Sequence, residues 1–367
     1  MAEEALVKRF EELLAGAKNL GVSDIHLLAD LPPMLRLNGE MRHLSGWEPF
    51  GVDYLKALSE AILSPEQLVR LEREREISVS HASPRCGRHR ISAYHRMGAR
   101  EMAIRIVQTE IQNREALGLP PIADEAVSHT SGLMLITGPT GSGKTTTLNY
   151  MIDAINKSLN GKIVTIEDPV EFAHRHQRCI VTQIEVGTDT PSFSGFLRSV
   201  LRLDPDVIVI GEMRDLESIS TALTGAETGH LVMATLHTPS AIGTAERIVN
   251  VFPGEQQAQI AVQTASTLLA VLSQRLIPTI DKQRRALATE VLIANSAARH
   301  VIRERTFFRL NDIIMTGSKQ GTHLLETSLA ELYRSGVITL ANALANANNP
   351  DHLSSLLKDT PPAMEAY

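Results

Sequence analysis

Cysteine is nearly missing from the 367-residue chain: Cys86 and Cys179 stand far apart, which gives neither a disulfide framework nor a CxxC metal site and fits a reducing compartment. Aromatic residues make up only 4% of the sequence, and the 42 acidic side chains outnumber the 36 basic ones. That balance removes any global positive field drawing the chain onto nucleic acid or anionic lipid, and it leaves little material for a base-stacking groove. No direct nucleic-acid partner is expected. Nor does any uninterrupted apolar run approach the roughly 18 residues of a membrane span, and the start of the sequence is acidic rather than signal-like. A cytoplasmic protein without a transmembrane segment is expected, its membrane contact made through a partner.

What is present is enough apolar material, 43%, for two globular domains in a chain too long for one. Leu6, Phe10, Leu13 and Leu14 fall at helical spacing and predict an amphipathic helix ending near Gly16. Strands are expected at Asp24 to Leu28, Met34 to Leu37 and Arg88 to Tyr94, with a helix over Tyr54 to Leu71. Residues 1–107 therefore read as a smaller α+β domain. Residues 108–124 contain Gly118, Pro120 and Pro121 and read as an interdomain linker. From 125 to 367, short apolar runs at Leu133 to Thr137, Lys162 to Ile166, Val207 to Ile210, Leu231 to Thr235 and Leu287 to Ile293 alternate with helical segments, an α/β sheet pattern. The residues after Pro361-Pro362 are expected to be disordered.

The sharpest local signal is GPTGSGKT at 138–145, between the strand LMLIT and a helix with Leu148, Met151, Ile152 and Ile155 on one face. Gly138, Gly141 and Gly143, with Thr140 and Ser142 between them, let successive backbone N–H groups turn toward phosphates at a helix N-terminus. Lys144 reaches the β/γ-phosphates of ATP, Thr145 ligates Mg²⁺, and Thr146 follows in the first turn. A glycine-rich turn without nucleotide is the bland alternative, and the strand and helix context speaks against it. Downstream, Glu167 ends one predicted strand and Glu212 follows another, where doubly wound sheets gather ligands. Glu167 would face the γ-phosphate and Glu212 would hold Mg²⁺ through water, Gly211 standing where an Asp is usual. Helix capping or surface pairing is the competing account of these carboxylates. His230 and His237 bracket the strand LVMAT and are read as two imidazoles near one sheet edge, able to bond a γ-phosphate.

Four motifs in this order resemble the secretion ATPases, and within them the type IV pilus retraction ATPases. GPTGSGKTTTL is similar to their Walker A, TIEDPVEF (165–172) to their aspartate box, DPDVIVIGEMRD (204–215) to their Walker B and ETGHLVMATLHT (227–238) to their histidine box. SDIHL (23–27) and PPMLRLNGE (32–40) resemble the opening of their PAS-like N-terminal domain, and AARHVIRE (297–304) their retraction helix signature. The resemblance implies a RecA-like P-loop ATPase domain after the PAS-like one, and a homohexamer hydrolysing ATP to power pilus retraction through an inner-membrane platform protein and, indirectly, pilin. It implies that Arg88, Arg90 and Arg105 act in trans. It also implies Glu167 as the base that activates water, though the two glutamates could exchange roles. Rotation of one domain against the other about Gly118 to Pro121 would deliver the work. An accessory retraction paralogue with weak activity, or a pilus assembly or type II secretion ATPase, is the alternative. The chain departs from the pattern at Met97 and Gly98, where the family carries an arginine, and at Pro239.

Overall fold

The computed structural model describes residues 2–20, 22–37, 40–83, 85–106 and 111–358. It divides into two compact units, residues 1–110 with 169–173, and residues 111–168 with 174–367.

In the first unit, α1 (Ala2–Asn19) buries Phe10, Leu13, Leu14 and Ala17. It runs one turn past Gly16, because the apolar face continues to Ala17 and a lone helical glycine costs only about 1 kcal/mol. Then come β1 (Asp24–Leu27), β2 (Met34–Leu37), β3 (Glu40–His43), α2 (Val52–Ile62), α3 (Pro65–Glu74), β4 (Glu76–Ser83), β5 (Gly87–Arg96) and β6 (Ala99–Ile106). The expected single helix over Tyr54 to Leu71 is thus two. Ser64 accepts from the Gln67 amide while Gln67 reaches back to the Ser64 amide, and Pro65 opens α3, a complete restart signal. The strands form an antiparallel sheet in the order β3-β2-β1-β6-β5-β4. One face of it contributes Ile25, Leu27, Ile91, Met102 and Ile104 to a core with Phe10, Leu14, Leu55 and Leu58. Met97 and Gly98 form the two-residue turn between β5 and β6, both at positive φ (49° and 85°), with Met97 94% exposed.

The second unit begins, among the described residues, with α4 (Arg114–Leu117) and α5 (Ile122–Ala126), so from 111 on the stretch expected as a linker belongs to this unit. Leu119, Ile122, Ala123 and Ala126 sit in its core, and Gly118 and Pro120 punctuate two short helices rather than a free connection. Residues 108–110 lie outside the described ones. The series continues β7 (Gly132–Thr137), α6 (Lys144–Ser158), β8 (Lys162–Glu167), β9 (Ile180–Glu185), α7 (Phe193–Val200), β10 (Val207–Ile210), α8 (Leu216–Glu227), β11 (Leu231–Leu236), α9 (Ala241–Asn250) and α10 (Gly254–Thr267). It ends with β12 (Leu268–Pro278), β13 (Arg285–Ile293), α11 (Ser296–Arg303), α12 (Leu310–Thr316), α13 (Leu325–Arg334), α14 (Leu340–Asn346) and α15 (Pro350–Leu357). The expected disorder after 361 falls outside the described residues.

The seven strands lie in the order β13-β12-β7-β11-β10-β8-β9, parallel except for β13, which runs antiparallel to β12. Strands β7, β10 and β11 are buried along their whole length, as a sheet covered on both faces requires. On one face Met134, Ile136, Val209 and Met233 pack with Met151, Ile152 and Ile155 of α6. On the other, Leu135, Val164, Ile208 and Val232 pack with residues of α7 to α11. A separate cluster of Leu325, Leu329, Ile338 and Leu353 with Ile277 and Ala288 seats the C-terminal helices against β12 and β13. This arrangement brings the carboxyl ends of β7, β11, β10 and β8 to one edge of the sheet.

Candidate active site

At that edge β7 runs into the loop 138–143, whose bends rest on glycine: Gly138, Gly141 and Gly143 have φ of 140°, 78° and 89°. A side chain at Gly138 is impossible, since its Cβ would lie 2.3 Å from the Gln274 carbonyl oxygen and 2.6 Å from Ser142 Oγ. Pro139 and Thr140 are exposed, Ser142 is buried with Oγ unpartnered among the described residues, and Thr145 and Thr146 open the 15-residue α6. The loop therefore combines close backbone, an unpaired hydroxyl and a long helix N-terminus, the donor-rich cradle that polyphosphate requires.

Lys144, 8% exposed, donates to the Gly138 and Pro139 carbonyls at 2.8 and 3.0 Å and lies 3.3 Å from His237 Nδ1. Burial pulls its pKa below the ordinary lysine value, and the Glu212 charge pushes the other way. His237 Nε2 is 3.0 Å from Glu212 Oε1, and Arg214 donates to Glu212 Oε2 at 2.9 Å while standing 3.9 Å from Asp168. Burial raises the Glu212 carboxyl, but the Arg214 hydrogen bond and charge, with His237, outweigh it and hold the group below the usual carboxylate range. A polar chain Lys144, His237, Glu212, Arg214, Asp168 thus crosses the ends of four strands.

Glu167, 6% exposed, accepts from Thr165 Oγ1 at 2.7 Å and from Gln183 Nε2 at 3.1 Å. Gln183 also accepts from the His174 amide at 2.8 Å. The His174 ring meets Asn149 Oδ1 at 2.8 Å, and Asn149 donates to the Thr145 carbonyl at 2.9 Å. Burial, against a weaker pull from Asp153, lowers the His174 pKa to about 4, so this ring is neutral at pH 7. A hydrogen-bonded path therefore runs from Glu167 to the first turn of α6. Gly211 has a steric reason to be glycine: a Cβ there would sit 3.0 Å from the Ile166 carbonyl and 3.3 Å from Glu167 Cα.

Most of the expected set in this unit converges, and one member does not. His230 precedes β11 while His237 follows it, and β11 pairs with β7 in register from Leu231↔Gly132 to Leu236↔Thr137. Six strand residues separate the two imidazoles by about 20 Å, so they lie at opposite ends of the sheet rather than one edge. His230 instead meets the Gly225 carbonyl and Thr228 Oγ1, both at 3.1 Å. In the first unit Arg88, Arg90 and Arg105 share one sheet face: Arg88 bonds Ser80 at 3.0 Å, Arg90 bonds Ser78 at 2.8 Å, and Arg105, directly opposite Arg90, bonds Asp24 at 2.9 Å. Sequence reading missed Gln183, His174 and Asn149, and also Gln274, 1% exposed, which donates to Thr147 Oγ1 at 2.8 Å. The one available signal was Gln274 itself, an amide close behind the apolar run LLAVL at 268–272.

For Mg²⁺, which takes most of its ligands from phosphates and water, the Thr145 hydroxyl and the Glu212 carboxylate are a chemically suitable donor pair. Among the described residues no helix is long and apolar enough to cross a membrane.

Comparison with known proteins gives this geometry its context. The family model for type II/IV secretion system proteins matches residues 83–352. The type IV pilus retraction ATPase PilT of Pseudomonas aeruginosa is 41% identical over 341 residues, covering 93% of this chain and 98% of that protein. A twitching motility protein of Neisseria gonorrhoeae is 37% identical, covering 89% and 87%. A crystal structure of the pilus retraction motor PilT with bound ADP superimposes with a TM-score of 0.88 at 41% identity, over 94% of this chain and 98% of that one. The chain belongs to the type II/IV secretion system protein family and is a PilT-like ATPase.

Proposed function

We propose that this ATPase is the motor subunit of type IV pilus retraction, working as a homohexamer in the cytoplasm and passing torque to an inner-membrane platform protein, so that pilin returns to the membrane. The observation that carries the catalytic reading is the path joining Glu167 to the P-loop helix through Gln183, His174 and Asn149. It holds a buried carboxylate in fixed relation to the loop that cradles the γ-phosphate.

In this reading ATP lies over the 138–145 bend, and Lys144 gives up its loop carbonyls for the β/γ-phosphates, a favourable exchange for a buried cation. Glu167 accepts a proton from the attacking water as its oxygen bonds the γ-phosphorus and the bond to the ADP oxygen breaks. Thr145 and, through water, Glu212 would hold Mg²⁺, which would supply charge neutralisation to the phosphates. His237 is placed between Lys144 and Glu212 to register the loss of the γ-phosphate. Arg88, Arg90 and Arg105 serve the neighbouring subunit's nucleotide. Arg90 and Arg105 stand directly opposite across β5 and β6, where Asp24 already offsets one of the two charges, and an anionic ligand would offset the other. His230 is not part of the catalytic set. We propose two domains, residues 1–107 and a second that begins at Ile111, because Leu119 and Ile122 are fixed in its core.

Steady-state ATPase assays on purified protein test the chemistry. Lys144→Ala should lose nucleotide uptake, and Glu167→Gln should bind ATP but turn over at least about 100-fold more slowly. Deleting the gene in its host and counting surface pili tests the biology. Abundant pili that do not retract support the retraction motor, whereas bald cells move the chain to the assembly class.

A further inference from the structure

Glu290 is 3% exposed on β13 and takes no part in the site described above, yet two helices begin on its carboxylate. Its Oε1 accepts from the amide of Ala241, the first residue of α9, at 2.5 Å, and it also accepts from the amide of Leu325, the first residue of α13. Its Oε2 faces Asn348 Nδ2 at 3.5 Å. The neighbouring Glu326, 2% exposed, accepts from the amide of Asn349, the N-cap of α15, at 2.7 Å. Arg275 on β12 closes the group by donating to Asn348 Oδ1 at 2.5 Å and to the Asn346 carbonyl. Two buried carboxylates thus organise three helix N-termini, each a favourable place for negative charge.

We propose that Glu290 is a positioning residue for ATP turnover, tying the start of α9, and through it His237, to the C-terminal helices α13 and α15. The route is short. Ala241 follows Ser240, whose carbonyl accepts from Thr244 Oγ1 at 2.7 Å; Thr244 is 2.6 Å from Thr238 Oγ1 and 3.5 Å from Thr137 Oγ1, at the mouth of the P-loop. Thr238 adjoins His237, which bridges Lys144 and Glu212. Tilting α13 or α15 therefore moves the anchor of α9 and the imidazole four residues before it. A device of this kind lets a partner bearing on the C-terminal helices set the rate at a distant phosphate site. The charged groups around Glu290 are Glu326 from α13 and Arg275 from β12, and burial is the main reason its pKa is pushed up to about 7.

The inference rests on the proposal that His237 serves the nucleotide site, and its test separates the two. In full-length protein, Glu290→Gln keeps shape and loses charge, Glu290→Asp keeps charge at shorter reach, and Glu326→Gln loosens α15. Amide hydrogen exchange should rise together at 238–246 and 325–331 in Glu290→Gln, and Glu326→Gln should raise exchange at 349–353 and, more weakly, at 238–246. The kcat of Glu290→Gln should fall about tenfold with KM for ATP within about twofold, Glu290→Asp should restore part of it, and the wild-type acid limb near pH 7 should vanish in the Gln variant. Exchange needs no turnover, so an inactive wild type would sink the ATPase reading and leave the coupling measurable. Should Glu290→Gln not fold, Glu290→Asp is read by the same exchange measurement. Unchanged exchange at 238–246 and an unchanged kcat and pH profile in a folded Glu290 variant would overturn the proposal.

Discussion

Gly211 shows how much one missing side chain decides. The sequence reading marks it as a gap in an acidic motif, whereas the structure gives it a steric duty: a Cβ would press on the Ile166 carbonyl and on Glu167 Cα. Gly211→Ala should therefore leave ATP affinity within about twofold and cut kcat at least about tenfold, because the backbone carrying Glu167 must shift. Calorimetric ATP titration beside single-turnover hydrolysis checks the split. Glu290 gives a second prediction with a definite sign. Its carboxyl, ordinarily at 4.5, is raised to about 7, so its contribution to stability is fully present below the unfolded value and is lost as pH rises through 7. Between pH 4 and pH 8 the wild type should lose roughly 3 kcal/mol relative to Glu290→Gln, read as converging or crossing denaturation midpoints. Loss of turnover in a variant that gains relative stability at pH 8 would mark a residue retained for function. The legible part of the site lay in short contiguous motifs, each at the end of a strand. Gly138 to Thr146 sit in one loop and its helix, while Gln183 meets Glu167 16 residues away, and Gln274 meets Thr147 across 127. Such partners have no local signature.

Elements were legible wherever their ends were marked. The strand LMLIT and the helix after it were bounded by the glycine loop, and α3 announces itself through Ser64, Pro65 and Gln67. Strand β12 went unread because α10 passes into it between Thr267 and Leu268 with no intervening residue and no glycine or proline. β4, β6 and β9 likewise carry polar residues at positions that local alternation leaves ambiguous, and only pairing across the sheet settles them. At this scale the start of α8 matters for chemistry. Asp215 accepts from the Ser218 amide at 2.8 Å, and Ser218 returns a contact to the Asp215 amide, three residues beyond Glu212. Asp215→Ala should cost about 1 kcal/mol locally and raise amide exchange over 212–219, with turnover falling as Arg214 loses its fixed seat beside Glu212. Asp215→Asn should retain the cap and most of the activity. Equal exchange in all three proteins would show that the cap does not hold this loop.

At the scale of the whole molecule, the two units carry complementary chemistry: the second has the phosphate loop and its carboxylates, and the first a sheet face with Arg88, Arg90 and Arg105. If those arginines serve the neighbouring subunit, a ring can be repaired by mixing two broken kinds. Lys144→Ala subunits lack a working phosphate loop but present intact arginines; Arg90→Ala/Arg105→Ala subunits keep the loop and lack the arginines. Mixed at equal concentration and reassembled, about a quarter of the subunit junctions pair a sound loop with sound arginines. ATPase activity should then rise from near background in each pure variant to about a quarter of wild type, provided each junction fires on its own. Strictly ordered firing around the ring would hold the recovery lower, since one dead junction stalls its neighbours. Arginines acting within their own subunit predict no recovery at any mixing ratio, so the titration of activity against composition separates the three arrangements.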